Sequence, residues 1–229
     1  MEPKIALVTG ASGGLGTSVV KALLDAEMTV IGVSRNITAS DVPHPSFVAL
    51  PGSLSTLESS AALVDGVIKR FGRIDVLAHL VGGFDGGKPI AGSDEASFRA
   101  MFDINLFTAF YVLRAVLPHM RRQQGGRIIA IGSRAAESPG PGVGAYSASK
   151  AAIVSLIRTV ALENGKAGIT ANVLLPGTID TRANRAAMPD ADTSAWVAPS
   201  SIASLIVWLS GGSGSDVNGA VIPVYGAGG

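Results

Sequence analysis

The sequence predicts an α/β protein, in which one parallel β-sheet is covered on both faces by helices. Short apolar runs alternate along the chain with longer segments whose apolar residues recur at helical spacing. A glycine-rich turn joins the first apolar run to the first helical segment. The length suits one domain with a sizeable core, and we expect that domain to span residues 1–229.

The predicted strands are short runs rich in apolar and β-branched residues, as expected for strands buried in a parallel sheet. Helical segments separate most of them, and strands joined through helices run parallel. In chain order the predicted strands are Lys4–Thr9, Thr29–Val33, Phe47–Leu50, Ile74–Val81, Arg127–Ile131, Thr170–Leu175 and Ala220–Val224.

The predicted helices carry apolar residues at spacings of three and four, which indicates one buried face on each. Two long polar segments, Ser34–Ser46 and Thr178–Pro199, are predicted to be loops, and residues 178–199 are a candidate substrate loop. The predicted helices are Gly14–Ala26, Leu57–Phe71, Ser97–Gln123, Ala145–Asn164 and Ser200–Leu209.

Composition argues against several classes of protein. A formal net charge of +1 disfavours nucleic acid as a partner, and 47% hydrophobic against 15% charged residues disfavours disorder. The chain has no cysteine, and its three histidines have no metal-ligand spacing, so no metal site is expected. No apolar stretch approaches the ~20 residues of a membrane span, and the glycine-rich turn arrives too early for a secretion signal. We therefore expect a cytoplasmic protein with no membrane partner.

The segment Thr9–Gly16 reads T-G-x-x-x-G-x-G and joins the first strand to the first helix. Glycines let the backbone turn sharply and approach a pyrophosphate, while the helix start offers free N–H groups and its positive dipole end to that anion. The same pattern also suits a tight turn that merely requires glycine. Its position between strand and helix favours the dinucleotide-binding interpretation.

The residues after the second strand bear on the kind of dinucleotide. An acidic side chain there would accept hydrogen bonds from the 2′-hydroxyl of the ribose, but the chain reads Ser34-Arg35-Asn36. Arg35 can instead pair with a 2′-phosphate, which favours NADP and leaves NAD possible. The alternative is an ordinary solvated loop arginine.

A second signal comes from Ser133, Tyr146 and Lys150. Tyr146 and Lys150 are four residues apart on a predicted helix and share one face. A phenol has a pKa near ~10, so a neighbouring ammonium is expected to lower the pKa of Tyr146 and to assist proton transfer. Ser133 follows a strand at the carboxyl edge of the sheet, where its hydroxyl can bind a substrate oxygen. The alternative is a chance Tyr-x-x-x-Lys on a surface helix.

Together these motifs resemble the short-chain dehydrogenase/reductase family over nearly the whole chain. The resemblance implies a Rossmann-type, doubly wound sheet of seven parallel strands, NADP or NAD as cofactor, and a small carbonyl or alcohol substrate. The family's catalytic tetrad falls on Asn105, Ser133, Tyr146 and Lys150. Asn105 is expected to link Lys150 to solvent through its backbone and a water.

The resemblance also implies which residues bind cofactor and substrate. In the segment Pro176–Thr181, the Ile179 backbone and Thr181 are expected to hold the nicotinamide carboxamide. The implied cofactor-binding residues are Gly10, Ser12, Gly14, Leu15, Gly16, Ser34, Arg35, Asn36, Ser53, Leu54, Val81, Gly82, Tyr146, Lys150, Pro176, Gly177, Ile179 and Thr181. The expected substrate-pocket residues are Gly83, Phe84, Arg134, Met188 and Trp196.

The chain departs from the family pattern in several places. The family's Asn-Asn-Ala-Gly is here His79-Leu80-Val81-Gly82, which keeps only the glycine. We expect His79 to be a packed, hydrogen-bonded histidine and not a catalytic one. The aspartate that commonly contacts adenine is replaced around Gly52-Ser53-Leu54. NADP-preferring members often carry a basic residue at the position of Gly13, so the NADP preference rests on Arg35 alone.

A narrower resemblance is to the dihydropteridine reductase branch, through Val81-Gly82-Gly83-Phe84 and through Asn184–Asp192 with Trp196. That branch typically lacks the serine and carries an acidic residue after the second strand, whereas this chain has Ser133 and Ser34-Arg35. We therefore interpret the chain as a carbonyl reductase, with reduction of a quinonoid dihydropterin as the alternative. A non-catalytic nucleotide-binding sensor or scaffold is a third hypothesis, against which the complete tetrad argues.

The two longest predicted helices carry more apolar residues than one sheet can cover, and surplus apolar surface indicates an interface. We predict a homo-oligomer, a tetramer of two-fold symmetry or a dimer, and the family resemblance implies assembly through these helices. The apolar residues concerned are Phe102, Phe107, Phe110, Tyr111, Ile153, Ile157 and Val160.

Overall fold

A computed structural model describes residues 2–226, and its framework is one sheet of seven parallel strands. The strand order is β3-β2-β1-β4-β5-β6-β7, which confirms the predicted doubly wound, Rossmann-type fold class. The strands are β1 Ile5–Thr9, β2 Thr29–Ser34, β3 Phe47–Pro51, β4 Val76–His79, β5 Gly126–Ile131, β6 Ile169–Pro176 and β7 Val221–Val224.

Helices cover both faces of the sheet. Buried residues of α2, α4 and α5 form one apolar cluster with the sheet, and those of α1 and α7 form a second cluster on the other face. The helices are α1 Gly14–Asp25, α2 Leu57–Phe71, α3 Glu95–Phe102, α4 Thr108–Arg122, α5 Gly144–Asn164, α6 Arg182–Ala187 and α7 Pro199–Ser210.

The strands are apolar throughout because both of their faces are buried. In β1, for example, all five residues are buried. Leu7 packs into one apolar cluster, whereas Ala6 and Val8 pack into the other, since successive side chains of a strand point to opposite faces.

The helix predicted at Ser97–Gln123 is longer and less regular than expected. It runs from Glu95 to Arg122 and contains a π-helical turn at Asp103–Phe107. It begins two residues early because the Asp94 carboxylate accepts a hydrogen bond from the Ser97 N–H at 2.8 Å. Apolar periodicity does not report one wide turn within a long helix, so the sequence alone did not predict the π turn.

The segment predicted as a loop at Thr178–Pro199 contains a short helix, α6. The Thr181 hydroxyl caps it by accepting from the Asn184 N–H at 3.2 Å. With six residues, α6 is too short to show an apolar period. The other predicted loop, Ser34–Ser46, holds only a 3₁₀ turn at Ala39–Asp41.

The expectation that no apolar stretch is long enough for a membrane span needs correction. The helix from Glu95 to Arg122 contains an 18-residue window of mean hydropathy 1.5, which by length and composition alone would suffice. Core helices of soluble proteins pass the same test, and here Val112, Leu113 and Val116 are buried against the sheet.

Candidate active site

The candidate site lies at the carboxyl edge of the sheet, where the strand order reverses. The chain runs from β1 outward to β3 on one side, and from β4 outward to β7 on the other. Thr9 and His79 are paired at the ends of β1 and β4. In open α/β sheets a crevice for ligands forms at such a switch point, and the loops that carry the predicted site residues all start at this edge.

Two glycines of the glycine-rich loop, Gly10 and Gly16, are packed too tightly to carry a side chain. Gly10 has φ +73°, in the left-handed region that favours glycine, and a Cβ on it would lie 3.1 Å from the Leu80 carbonyl carbon. A Cβ on Gly16 would lie 2.1 Å from the Gly10 carbonyl oxygen. These contacts bring the start of α1 close to the chain that leaves β4.

The start of α1 has the features of an anion site. Its N-cap, Gly13, supplies no side-chain cap, and Ser12, Gly13 and Gly14 are exposed. First-turn N–H groups that no side chain satisfies, at the positive end of the helix dipole, suit a pyrophosphate. The loop therefore fits a dinucleotide cofactor. Leu15 faces inward and belongs to the apolar cluster of α1 and α7.

The segment after β6 closes against this loop. A Cβ on Gly14 would lie 2.8 Å from the Thr181 Cβ, so Thr181 contacts the glycine-rich loop directly. Gly177 is held by its N–H, which donates to the Val224 carbonyl at 3.0 Å. The carbonyl of Ile179 accepts a hydrogen bond from the Asn184 side chain at 2.8 Å. The predicted nicotinamide segment thus lies beside the predicted phosphate loop.

The residues predicted for the adenosine end lie after β2 and β3. The Ser12 N–H donates to the Ser34 hydroxyl at 3.1 Å, which ties this end to the glycine-rich loop. Arg35 and Asn36 are exposed and free of the core. Ser53 follows β3 and is exposed, whereas the Leu54 side chain is buried, so Leu54 can offer a nucleotide only its backbone.

Ser133, Tyr146 and Lys150 come together as predicted from their spacing. Ser133 follows β5 and begins a 3₁₀ turn, where its hydroxyl accepts from the Ala135 N–H at 3.2 Å. Tyr146 and Lys150 lie on the first two turns of α5. Burial raises the pKa of Tyr146, and a hydrogen bond with the Ser133 hydroxyl lowers it in part.

Lys150 is buried, and its Nζ donates to the Ile131 carbonyl at 3.0 Å. Burial lowers the pKa of Lys150 to about 8, so it remains mostly protonated at neutral pH. Its Nζ lies 5.9 Å from the centroid of the Tyr146 ring. The expected lowering of the Tyr146 pKa by the lysine is therefore corrected: desolvation of the phenol is the largest effect, and the net direction is upward.

Asn105 occupies the π-helical turn, and its side chain joins two parts of the site. The amide oxygen accepts from the Gly83 N–H at 2.9 Å, and the amide nitrogen donates to the Gly83 carbonyl at 3.1 Å. The amide nitrogen also donates to the Ser149 hydroxyl at 3.0 Å, which donates in turn to the Tyr146 carbonyl at 2.7 Å. The chain after β4 is thereby tied to the turn of α5 that carries Tyr146.

Gly82 lies between the Asn105 and Lys150 side chains. A Cβ on Gly82 would lie 2.9 Å from the Asn105 Oδ1 and 3.0 Å from the Lys150 Nζ. This close approach explains why Gly82 is the part of the family's Asn-Asn-Ala-Gly pattern that the chain keeps. Sequence reasoning missed Ser149, although its place three residues after Tyr146 on one helix face was a usable signal.

His79 is packed and hydrogen-bonded, as predicted. Its Nδ1 lies 2.9 Å from the Thr9 hydroxyl and its Nε2 lies 3.4 Å from the Thr108 hydroxyl. Burial, with a smaller contribution from Lys150, lowers the pKa of His79 to about 3, so the imidazole is neutral. Within residues 2–226, no group of three or more acidic or histidine side chains is arranged to hold a metal ion.

The predicted substrate-pocket residues lie in three places. Gly83 is held by Asn105, and the Phe84 ring meets the Tyr146 ring edge-on at a centroid distance of 5.0 Å. The Arg134 guanidinium instead stacks over the Tyr225 ring at 5.0 Å. Met188 and Trp196 lie farther along the segment after β6. Met188 is exposed at the end of α6, and Trp196 is half-buried next to Val197.

Comparison with known proteins identifies the family. The short chain dehydrogenase family model matches residues 4–192, and the chain belongs to this family. A short chain dehydrogenase/reductase of Aspergillus oryzae, astE, is 30% identical over 98% of this chain and 94% of its own length. Galactitol 2-dehydrogenase of Agrobacterium fabrum is 35% identical over 79% of this chain and 72% of its own length.

Among solved structures, the NADP active-site complex of Pseudomonas aeruginosa RhlG has a TM-score of 0.89 and 28% identity over 99% of both chains. The family and the fold are thus shown. The narrower resemblance to the dihydropteridine reductase branch is not shown by these comparisons and stays a prediction.

Proposed function

We propose that the protein is an NADP(H)-dependent carbonyl reductase, which interconverts a ketone or aldehyde and the corresponding alcohol. The observation that carries this proposal is the juxtaposition of Ser133, Tyr146 and Lys150 at the carboxyl edge of the sheet, beside the glycine-rich loop. Two hydroxyls and one ammonium in this arrangement suit the binding and protonation of a carbonyl oxygen.

The cofactor would be held by the loop at Thr9–Gly16 and by the segment Pro176–Thr181, with Arg35 at the adenosine end. The NADP complex of Pseudomonas aeruginosa RhlG, which has a closely similar fold, supports this assignment. Arg35 favours NADP over NAD, because the residues directly after β2 are Arg35-Asn36 and not a carboxylate that could bind a 2′-hydroxyl. When bound, the nicotinamide group would supply a hydride for the carbonyl carbon or accept one from the alcohol carbon.

Each of the protein residues has its own role in binding or protonating the carbonyl oxygen. Ser133 donates a hydrogen bond to the carbonyl oxygen and polarises it. Tyr146 donates the proton, and its raised pKa keeps the phenol protonated at neutral pH, which suits the reductive direction. The Lys150 ammonium binds the nicotinamide ribose and stabilises the phenolate that forms. Asn105 links Lys150 to solvent through its backbone and a water.

Replacement of Tyr146 by phenylalanine tests the mechanism. Tyr146→Phe removes the proton donor with little change in volume, so kcat for a diketone such as 2,3-butanedione should fall by ~10²–10⁴-fold, the usual contribution of general acid catalysis. NADPH binding, measured by fluorescence titration, should change little. Tyr111→Phe makes the same substitution on α4 and should leave kcat unchanged. Near-normal turnover by Tyr146→Phe would contradict the proposed mechanism.

The serine separates carbonyl reduction from the pterin alternative. A ketone needs its oxygen polarised as the hydride arrives, so Ser133→Ala should lower ketone turnover by ~10²-fold or more. A quinonoid dihydropterin has a polarised ring nitrogen, and its reduction should scarcely depend on Ser133. Dihydropterin turnover that survives Ser133→Ala, with feeble ketone activity in both proteins, would favour the pterin alternative. Absence of any turnover would favour a non-catalytic sensor.

A further inference from the structure

We infer that residues 84–92, here called the wall segment, present Phe84 and Ile90 as an apolar surface beside Tyr146 that favours carbonyl substrates bearing a flat aromatic group. This inference rests on the proposed carbonyl reductase activity, because it assigns a substrate class to the same site. It assigns to Phe84 and Ile90 a role in specificity and none in proton transfer.

The first observation is the position of Phe84. Its ring meets the Tyr146 ring edge-on, with 5.0 Å between centroids and 73° between planes, yet 68% of the residue is exposed. Aromatic pairs of this geometry are attractive, so the Tyr146 contact fixes where the Phe84 ring stands. A large apolar side chain that stays exposed next to a reactive hydroxyl is a surface that a ligand can cover.

The second observation is that the wall segment is fastened to the site at both ends. Before it, both backbone polar groups of Gly83 hydrogen-bond the Asn105 side chain. Within it, the Gly87 N–H donates to the Gly142 carbonyl at 2.9 Å. Ile90 packs onto Gly144, where a Cβ would lie 2.2 Å from the Ile90 Cδ1. The segment therefore has a fixed place over the start of α5, which carries Tyr146.

The third observation is the character of the surface. A Cβ on Gly86 would lie 3.0 Å from the Val143 side chain and 3.1 Å from the Phe84 ring, so these two apolar groups approach each other over a bare backbone. Ile90 adds a further apolar side chain with 64% exposure. The same segment carries two exposed charged residues, Asp85 and Lys88, and the Lys88 ammonium lies 3.5 Å from the Asp94 carboxylate. The apolar surface is therefore confined to the side chains of Phe84, Val143 and Ile90.

An aromatic group on the carbonyl carbon would cover this apolar surface when the oxygen lies between Ser133 and Tyr146. Packing against Phe84 would remove apolar area from water on both sides and add an aromatic pair. A methyl group in the same place would cover far less of the wall. The wall should therefore discriminate between substrates that differ only in phenyl and methyl.

Two activated diketones test this inference: 1-phenyl-1,2-propanedione and 2,3-butanedione, which differ by phenyl in place of one methyl. The wild-type enzyme should have the higher kcat/KM for the phenyl compound. Phe84→Ala should lower the phenyl-to-methyl ratio of kcat/KM by about tenfold, mainly through KM for the phenyl compound. Phe84→Tyr keeps the ring and should hold the ratio within about twofold. Leu162→Ala truncates an exposed apolar residue near the end of α5 and should leave the ratio unchanged.

The outcomes separate this inference from the proposed function. An unchanged ratio in an active Phe84→Ala enzyme would overturn the inference and leave the carbonyl reductase proposal in place. A wild-type preference for 2,3-butanedione would also overturn the inference. An equal loss of kcat/KM on both diketones in Phe84→Ala would overturn it as well, because it would mean that Phe84 only supports Tyr146. If the wild-type enzyme reduces neither diketone, the proposed function fails and the inference fails with it.

Discussion

Burial sets the protonation state of three side chains, Tyr146 and Lys150 in the candidate site and His79 near Lys150. It raises the pKa of Tyr146, lowers that of Lys150 to about 8, and lowers that of His79 to about 3. At neutral pH the phenol is therefore protonated, the imidazole is neutral, and the ammonium is the charged member of the three. A neutral His79 is consistent with its place near Lys150, where a second positive charge would be repelled.

The pKa of His79 predicts an acid-sensitive stability. Because the pKa is about 3 in the folded protein and 6.5 ordinarily, the unfolded chain binds the extra proton first as the pH falls. The contribution is fully present above pH 6.5 and is lost progressively down to about pH 3. His79→Asn should flatten this part of the plot of unfolding free energy against pH, measured by urea denaturation. His44→Asn makes the same substitution at an exposed histidine and is the matched control.

Arg35 carries the prediction about the cofactor. If its guanidinium binds a 2′-phosphate, Arg35→Ala should weaken NADPH binding by roughly 1.5–3 kcal/mol and leave NADH binding nearly unchanged. Fluorescence titration with both nucleotides measures the two effects. Arg70→Ala removes an arginine that stacks on Phe71 in α2 and serves as the control. Equal losses for both nucleotides, or a wild-type preference for NADH, would contradict the assignment.

At the residue level, the sequence was sufficient to predict the position of a site residue where that position is set by one helix or by the end of one strand. Tyr146 and Lys150 share a helix face by spacing alone, and Ser133 follows a strand. The side-chain contacts of Asn105 were not predictable in this way, because its partners are distant in the sequence. Gly83 is 22 positions away from it and Ser149 is 44 positions away. The direction of the Tyr146 pKa also depends on how deeply the phenol is buried, which one sequence does not reveal.

At the level of elements, two helical glycines give a matched test. A Cβ on Gly14, at the start of α1, would lie 2.8 Å from the Thr181 Cβ, whereas a Cβ on Gly66, within α2, would meet nothing within 4 Å. Gly14→Ala should therefore displace Thr181, weaken NADPH binding and lower Tm. Gly66→Ala should raise the free energy of unfolding by about 0.5–1 kcal/mol, because alanine loses less backbone entropy in a helix. Calorimetry and NADPH titration check both; a Gly14→Ala protein with normal affinity would contradict the assignment of this loop.

The strands and the long helices were predictable because a period of apolar residues runs through most of each element. At most of their ends, the observed bound differs from the predicted one by one or two residues. The predicted strand Ile74–Val81 was shortened to β4, since only Val76–His79 form its ladder. The π-helical turn and α6 were not predicted, because each is a local feature of five or six residues. Their formation depends on contacts made by the folded chain.

At the level of the whole molecule, the argument for an oligomer is partly corrected. Ile153, Ile157 and Val160 are buried within the chain's own core and supply no surplus surface. Phe107 and Phe110 remain exposed, and each ring lies against Tyr111 on α4. Beside them, a groove of about 400 Å³ lies between α2 and α4. The prediction of a homo-oligomer therefore rests on α4 and its neighbour α2.

We expect light scattering at micromolar concentration to report a dimer or a tetramer. The double variant Phe107→Ser with Phe110→Ser should shift the mass toward the monomer, because it removes the exposed aromatic surface at the end of the π-helical turn and the start of α4. Phe84→Ser makes the same change at the rim of the candidate site and should leave the mass unaltered. A monomeric wild-type protein would contradict the prediction.

The π-helical turn at Asp103–Phe107 restricts how the chain can vary in length. Each residue advances an α-helix by about 100°, and a π turn holds an extra residue. Deleting one residue here would let the turn close as ordinary α-helix, and the side chains left in the turn would be displaced by up to about 100° around the axis relative to α3 and α4. Asn105 could then no longer face Gly83 while Val112 and Val116 face the sheet. Except at Asn105, substitutions within the turn should be tolerated more readily than insertions or deletions, so the number of residues between Glu95 and Arg122 is itself a determinant of the site.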